Sequence, residues 1–328
     1  METLLLDPAD VTESASMAAV IDAVEGAFAA DARGDTQMPA KSYIDLPQHD
    51  GDFRSMPAYI DAGDWEAAGV KWVNSHPGNP DRHDLPTVMG TMIYSDPATA
   101  LPLALMDGTS LTRLRTGAAA AVATRYLARE DATSLGLVGA GIQSYSQLEA
   151  VAEVRPIERV VVADRDPDAI AALRERYAEA YDVREGSIDE AAACDVVSTT
   201  TPVREPIVTS VGEHTHVNAM GADAEGKHEI ADSVLADAKL VIDDYDQCTH
   251  SGEINVPWSE GALDDGDIHA ELAEVVAGEK AGREDGDGVT VFDSTGLAIQ
   301  DVAAAHVVYE RARETGVGTD FALVGTDT

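Results

Sequence analysis

Apolar positions near the N-terminus recur with a helical period. Met17, Val20, Ile21, Val24 and Phe28 fall on one face, which predicts an amphipathic helix over 14–30 closed by Gly34-Asp35. The pattern then shortens. Residues 42–46, 52–60, 70–74, 86–95 and 101–107 read as strands, the last two joined by a Pro/Asp turn. In 70–74 the alternation puts Lys71 and Val73 on one face and Trp72 and Asn74 on the other. An alanine-rich helix follows over 109–127, built for tight packing. Beyond it, short apolar runs at 135–138, 157–164, 195–202, 215–220, 239–243 and 288–293 alternate with helical stretches. Those stretches start near Gly141 and cover 167–181, 269–278 and 297–313. Strands first and alternating β and α afterwards predict an α/β protein of two domains.

Composition narrows the class. The 328 residues suit two domains, and 45% hydrophobic content supports sizeable, aliphatic cores. Sixty acids face 22 bases, a net charge of −38, and only five bases are lysine: Lys41, Lys71, Lys227, Lys239 and Lys280. Nucleic acid and anionic membranes would be repelled. The acids are spread through well-patterned segments rather than gathered in a tail, so the chain reads as globular and suited to concentrated salt, hence halophilic. Two cysteines, Cys194 and Cys248, make no disulfide framework, and Cys194 reads as a core filler. The N-terminus lacks the basic region of a signal peptide and no apolar run approaches a membrane span, so a cytoplasmic protein is expected.

The stretch Leu135-Gly-Leu-Val-Gly-Ala-Gly-Ile-Gln-Ser144 reads as a buried strand, a glycine turn and a helix. Gly139 and Gly141 let the backbone bend and approach a ligand, and Ile142 and Gln143 open a helix whose N-terminus favours phosphate. Ser144 replaces the last glycine of the usual fingerprint with another small residue. The next strand ends in Asp164, placed for a ribose 2′-hydroxyl, as NAD requires. Arg165 could accommodate a 2′-phosphate, so NADP stays open behind NAD. Thr200 and Asp223 stand at later strand exits, where ligands bind in such sheets. Asp223 reads as a helix cap or a general base, and Glu253 as a cap or a site residue. Arg54 reads either as a surface arginine or as a fork for a carboxylate. Lys71 is an edge-strand gatekeeper or a buried amine with a lowered pKa. Arg113 and Arg115 sit near a helix start, where the dipole disfavours cations, so one of them needs an anionic partner. His214 and His216 share a strand face, but no carboxylate or cysteine cluster completes a metal site, and no metal is expected.

Several longer stretches resemble the ornithine cyclodeaminase/mu-crystallin family, and within it the archaeal-type alanine dehydrogenases. They are Arg54-Ser-Met-Pro-Ala-Tyr59, Gly69-Val-Lys-Trp-Val-Asn-Ser-His-Pro-Gly-Asn-Pro80, Leu85-Pro-Thr-Val-Met89, Leu114-Arg-Thr-Gly-Ala-Ala119, Val138-Gly-Ala-Gly-Ile-Gln143, Asn218-Ala-Met-Gly-Ala-Asp223, Gly252-Glu-Ile-Asn255 and Phe292-Asp-Ser-Thr-Gly-Leu-Ala-Ile-Gln-Asp301. The resemblance implies a Rossmann-type NAD domain, over 119–303, and a discontinuous α+β substrate and dimerisation domain, 1–118 completed by 304–328. Two chains would join their N-terminal sheets in a homodimer. Arg54 and Arg115 would bind the substrate carboxylate with Lys71 beside the reacting carbon. Asp223 would be the catalytic aspartate. Gly139, Gly141, Ser144, Asp164 and Thr200 would bind cofactor, with Ser294 near the nicotinamide. The expected reaction is oxidative deamination of L-alanine. Ornithine cyclodeamination, ketimine reduction and turnover-free cofactor binding are the alternatives.

Overall fold

The structure, a computed structural model, describes residues 2–325. The chain divides into two compact units, Met1–Arg115 with Leu297–Thr328, and Thr116–Gly296. The sequence places these boundaries at 118/119 and 303/304; the whole of the last long helix lies in the first unit.

The first unit holds strands β1 (Thr3–Leu6), β2 (Thr36–Gln37), β3 (Ser42–Leu46), β4 (Gly51–Asp61), β5 (Glu66–Ser75), β6 (Val88–Ser95) and β7 (Pro102–Asp107), with β16 (Thr319–Phe321) numbered after those of the second unit. They form one sheet, ordered β16-β1-β7-β6-β5-β4-β2, with β3 also on β4. All its pairs are antiparallel except β1 with β7. Among the described residues, five helices exceed ten residues: α1 (Met17–Ala32), α2 (Gly108–Leu127), α3 (Ile142–Val154), α4 (Pro167–Tyr177) and α5 (Ala298–Thr315). α5 packs on α1 and on β4, β5 and β6. Strand register fixes which side chains it covers. Met56 pairs with Lys71, Lys71 with Met92, and Arg54 with Val73, so these residues share a face. Gly69 admits the helix, since a Cβ there would lie 3.3 Å from Val302 and 2.5 Å from Met92. On the other face Trp72 and Ile93 remain 42% and 36% exposed.

The second unit is built on β8 (Ser134–Val138), β9 (Arg159–Ala163), β10 (Asp182–Glu185), β11 (Val196–Thr199), β12 (His216–Ala219), β13 (Lys239–Ile242), β14 (Ile268–Glu271) and β15 (Thr290–Asp293). The order is β10-β9-β8-β11-β12-β15-β13-β14, parallel throughout. Both faces are covered, which is why these strands read as continuous apolar runs rather than alternating ones. This is a Rossmann-type sheet. The chain runs outward from β8 through β9 to β10, then returns to β11 on the opposite side, so the carboxyl ends of β8 and β11 form the switch point where such folds bind ligands. Gly117 brings α2 against α3; a Cβ there would be 2.5 Å from the Ser146 carbonyl. Buried Arg155 caps the end of α2 by donating to the carbonyls of Thr124, Arg125 and Ala128.

Several segments differ from the sequence reading, among them two strands. The helix expected over 269–278 is reduced to Leu272–Val276, because His269 to Glu271 join β14 and pair with β13 at the sheet edge. β1 was not anticipated; its four residues are too few to display a period, and its parallel pairing with β7 is non-local.

Candidate active site

Lys71 is 1% exposed on β5. Its Nζ lies 2.7 Å from both carboxylate oxygens of Asp301 on α5 and donates to Thr112 Oγ1 at 3.1 Å. Arg115 near the start of α2 reaches the same acid, Nε to Oδ1 at 3.2 Å, and Gln300 Oε1 at 3.3 Å. Asp301 is therefore the anionic partner that Arg115's helix position demanded. Burial pushes the Lys71 ammonium down to about 7; Asp301 opposes the shift, while the charges of Arg115 and Lys41 add to it. At neutral pH this amine can both give and take a proton.

Arg54 shares the Lys71 face but forms an ion pair with Asp52, Nη2 to Oδ2 at 2.9 Å, and its guanidinium lies 5.6 Å from the Tyr43 ring centre. Lys71 and Arg115 thus converge on one acid and Arg54 is held by another. Neither Asp301 nor Lys41 carries a role in the sequence reading. Lys41 had a signal in the scarcity of lysine; Asp301 had only its place in a resembling stretch.

The glycine turn stands at the switch point of the second sheet. Gly139 has φ +107°, a left-handed conformation, and a Cβ would lie 2.9 Å from Thr200 Oγ1. Gly141, the N-cap of α3, has an ordinary φ of −69°, and a Cβ there would meet no atom of the protein within 4 Å. The fold itself does not require glycine at 141, and the open space there would let a ligand approach the backbone. α3 lacks a side-chain N-cap, which leaves N–H groups to aim at an anion. Thr200 Oγ1 and Gln143 Oε1 are buried without hydrogen-bond partners, and Ile142 is 62% exposed. Ser144 is fully buried and donates to the Gly141 carbonyl at 2.6 Å. Asp164 accepts the Ala140 N–H at 2.6 Å, which joins the end of β9 to the turn, with exposed Arg165 beside it. Ser294 donates to Asp243 at 2.9 Å. This donor set fits a dinucleotide phosphate bridge.

Asp223 lies four residues beyond β12, half exposed in a loop, and pairs with Lys227. Lys227 was overlooked in the sequence although lysine is rare. Glu253 is a buried anchor, its Oε1 accepting the N–H groups of Glu229 and Ile230 at 2.7 and 2.6 Å. His216 is buried between Thr290 and Asn218, and burial lowers its pKa to about 3.

The sequence profile of the ornithine cyclodeaminase/mu-crystallin family matches residues 1–316. The chain belongs to this family. Among family members, it is 48% identical to the alanine dehydrogenase of Archaeoglobus fulgidus over 97% of this chain and 98% of that one. An archaeal alanine dehydrogenase dimer with bound NAD superposes with a TM-score of 0.93 at 46% identity, covering 99% and 100% of the two chains. The Δ1-pyrroline-2-carboxylate reductase of Thermococcus litoralis, solved with NADH and L-proline, gives 0.92 at 39% identity over 97% and 100%. The same fold thus serves family enzymes with different substrates.

Proposed function

We propose that this protein is an NAD-dependent alanine dehydrogenase, interconverting L-alanine and pyruvate with ammonium. The observation that carries the reaction class is the buried Lys71–Asp301–Arg115 group: an amine poised near neutrality beside a guanidinium that can hold a carboxylate. Alanine as substrate rests on the similarity to alanine dehydrogenases along the whole chain.

NAD would be held by Gly139, Gly141, Ile142, Gln143, Ser144, Asp164 and Thr200, with Ser294 assigned to the nicotinamide end, and would supply the hydride acceptor. Arg54 and Arg115 bind the carboxylate, with charged hydrogen bonds contributing roughly 1.5–3 kcal/mol each. Lys71 Nζ takes a proton from the substrate ammonium, so that the amine lone pair can drive loss of the Cα hydride and leave an iminium. Asp223 takes a proton from water as its oxygen bonds to the iminium carbon. Lys71 returns a proton to nitrogen, the C–N bond breaks as the carbinol hydroxyl gives its proton to the departing ammonia, ammonium and pyruvate leave, and Asp223 releases the water proton to solvent.

The sign of the pH dependence follows. Below pH 7 Lys71 is charged and cannot accept a proton; above it, the amine is neutral. Alanine oxidation should rise through about pH 7, and reductive amination should fall over the same range. NADH formation across an amino-acid panel in multimolar KCl tests both points. A rate independent of pH from 6 to 8 would overturn the role of Lys71. Faster NADH-dependent reduction of Δ1-pyrroline-2-carboxylate, the second reading favoured by the Thermococcus relative, would overturn alanine. Proline from ornithine without net NADH would do the same.

The sheet face carrying Trp72 and Ile93 suits a second copy of the chain, and the similar archaeal alanine dehydrogenase is a dimer. Trp72→Asp should then convert a dimer to a monomer in multimolar salt, read by sedimentation. A monomeric parent protein would refute the interface.

A further inference from the structure

Glu229 is fully buried, follows Lys227 by two residues and has no role in the reaction just described. Its carboxylate accepts four hydrogen bonds. Oε1 takes the Thr201 N–H at 2.7 Å and the Thr201 hydroxyl at 2.6 Å. Oε2 takes the Thr199 hydroxyl at 2.7 Å and the Gly221 N–H at 3.1 Å. One side chain thereby ties the exit of β11 to the exit of β12.

Both ties flank residues of the proposed site. Thr199 and Thr201 stand on either side of Thr200, whose hydroxyl abuts Gly139 at the phosphate turn. Gly221 opens the loop that carries Asp223 and ends at Glu229; the Gly221–Glu229 bond closes its base, and Asp223 pairs with Lys227 within it. Gly221 is glycine because of this carboxylate, since a Cβ would sit 2.2 Å from Oε2.

Glu229 is itself anchored. Its N–H is held by Glu253, and the Glu253 and Ile254 N–H groups are held by Asp293 at the end of β15. Asp243, just past β13, accepts the Ser294 hydroxyl and the Gly296 N–H. Buried carboxylates therefore link, by backbone contacts, the carboxyl ends of β11, β12 and β15, and those of β13 and β15. Glu229 is the member that holds the two neighbours of Thr200 and the start of the Asp223 loop.

We propose that Glu229 is a positioning residue that sets the Thr200 turn for cofactor and the Asp223 loop for water activation. This rests on the NAD and Asp223 assignments above. It acts through geometry: a carboxylate is acceptor-only and satisfies four converging donors, which no neutral side chain can do. Burial raises the Glu229 pKa while the four donors oppose it, so the donors favour the anion.

Glu229→Gln keeps the shape but turns one acceptor into a donor facing the Gly221 N–H or the Thr201 N–H. In multimolar KCl it should bind NADH about tenfold more weakly, read by NADH fluorescence, and turn over about tenfold more slowly, with KM for alanine unchanged. Gly221→Ala, which leaves Glu229 in place but pushes a methyl into it, should show the same split. Titration separates positioning from mere stability. Weaker affinity at full stoichiometry supports the proposal; fewer sites of parental affinity and parental turnover per site would overturn it, as would unchanged affinity and rate in both variants. NADH binding by the parent protein without alanine oxidation would count against the proposed reaction and leave the binding arm of this test intact.

Discussion

Replacing Lys71 with Met should abolish alanine turnover while leaving the fold and NADH affinity in place. The loss should be about a thousandfold in kcat, within the range of a positioned acid–base group. Methionine matches the lysine stem in length and suits a position buried beside Met56 and Met92. Asp301 keeps Arg115 at 3.2 Å, so the substitution removes one cation from a three-membered group instead of stranding a bare carboxylate. The converse change, Asp301→Ala, would leave two buried cations facing each other and should cost stability first. Steady-state rates and NADH titration of Lys71→Met decide the matter; a kcat within tenfold of the parent would remove Lys71 from the chemistry.

Transfer from about 3 M to about 0.1 M KCl should lower the melting temperature by roughly 20 °C or more. The 38 excess negative charges are carried on one 34.5 kDa chain. Screening falls off over about 3 Å at 1 M salt but over about 10 Å at 0.1 M, so in dilute buffer each exposed acid feels many neighbours. Buried pairs such as Lys71–Asp301 are shielded from salt and should not change. Thermal unfolding followed by circular dichroism at the two concentrations tests this, and equal melting temperatures would end the halophilic reading.

The parallel unit was legible because its signals are local. A strand, a glycine turn, a helix and an acid lie within thirty residues of one another, and β8, α3 and β9 lie where the pattern put them. Strands β3 to β7 of the first unit were legible from their apolar patterns, but not the short β2 and β16, nor β1, whose partners lie about a hundred residues away in β7 and further in β16. Site residues followed the same rule. Lys71 stood out as a lysine in an apolar strand. Asp301 did not, since an acid in a helix is unremarkable in a chain with 60 of them, and only tertiary contact shows that it is buried and paired. Lys227 and Lys41 carried a usable clue in the lysine count. Glu229 carried none, because its meaning lies in four donors from two other strand exits.

The Lys71–Asp301 contact spans 230 residues. At about 5–20 residues per second, a ribosome needs roughly 10–45 s to make the distance between them. Once β7 is made, the nascent first unit has strands β1 to β7 but neither β16, the acid that balances Lys71, nor the helix that covers β4, β5 and β6. The intervening unit is complete in sequence by Gly296 and can close on itself earlier. The order of assembly is therefore inverted relative to the order of synthesis: the part begun first finishes last, and Lys71 acquires its partner only after the whole intervening unit has been made.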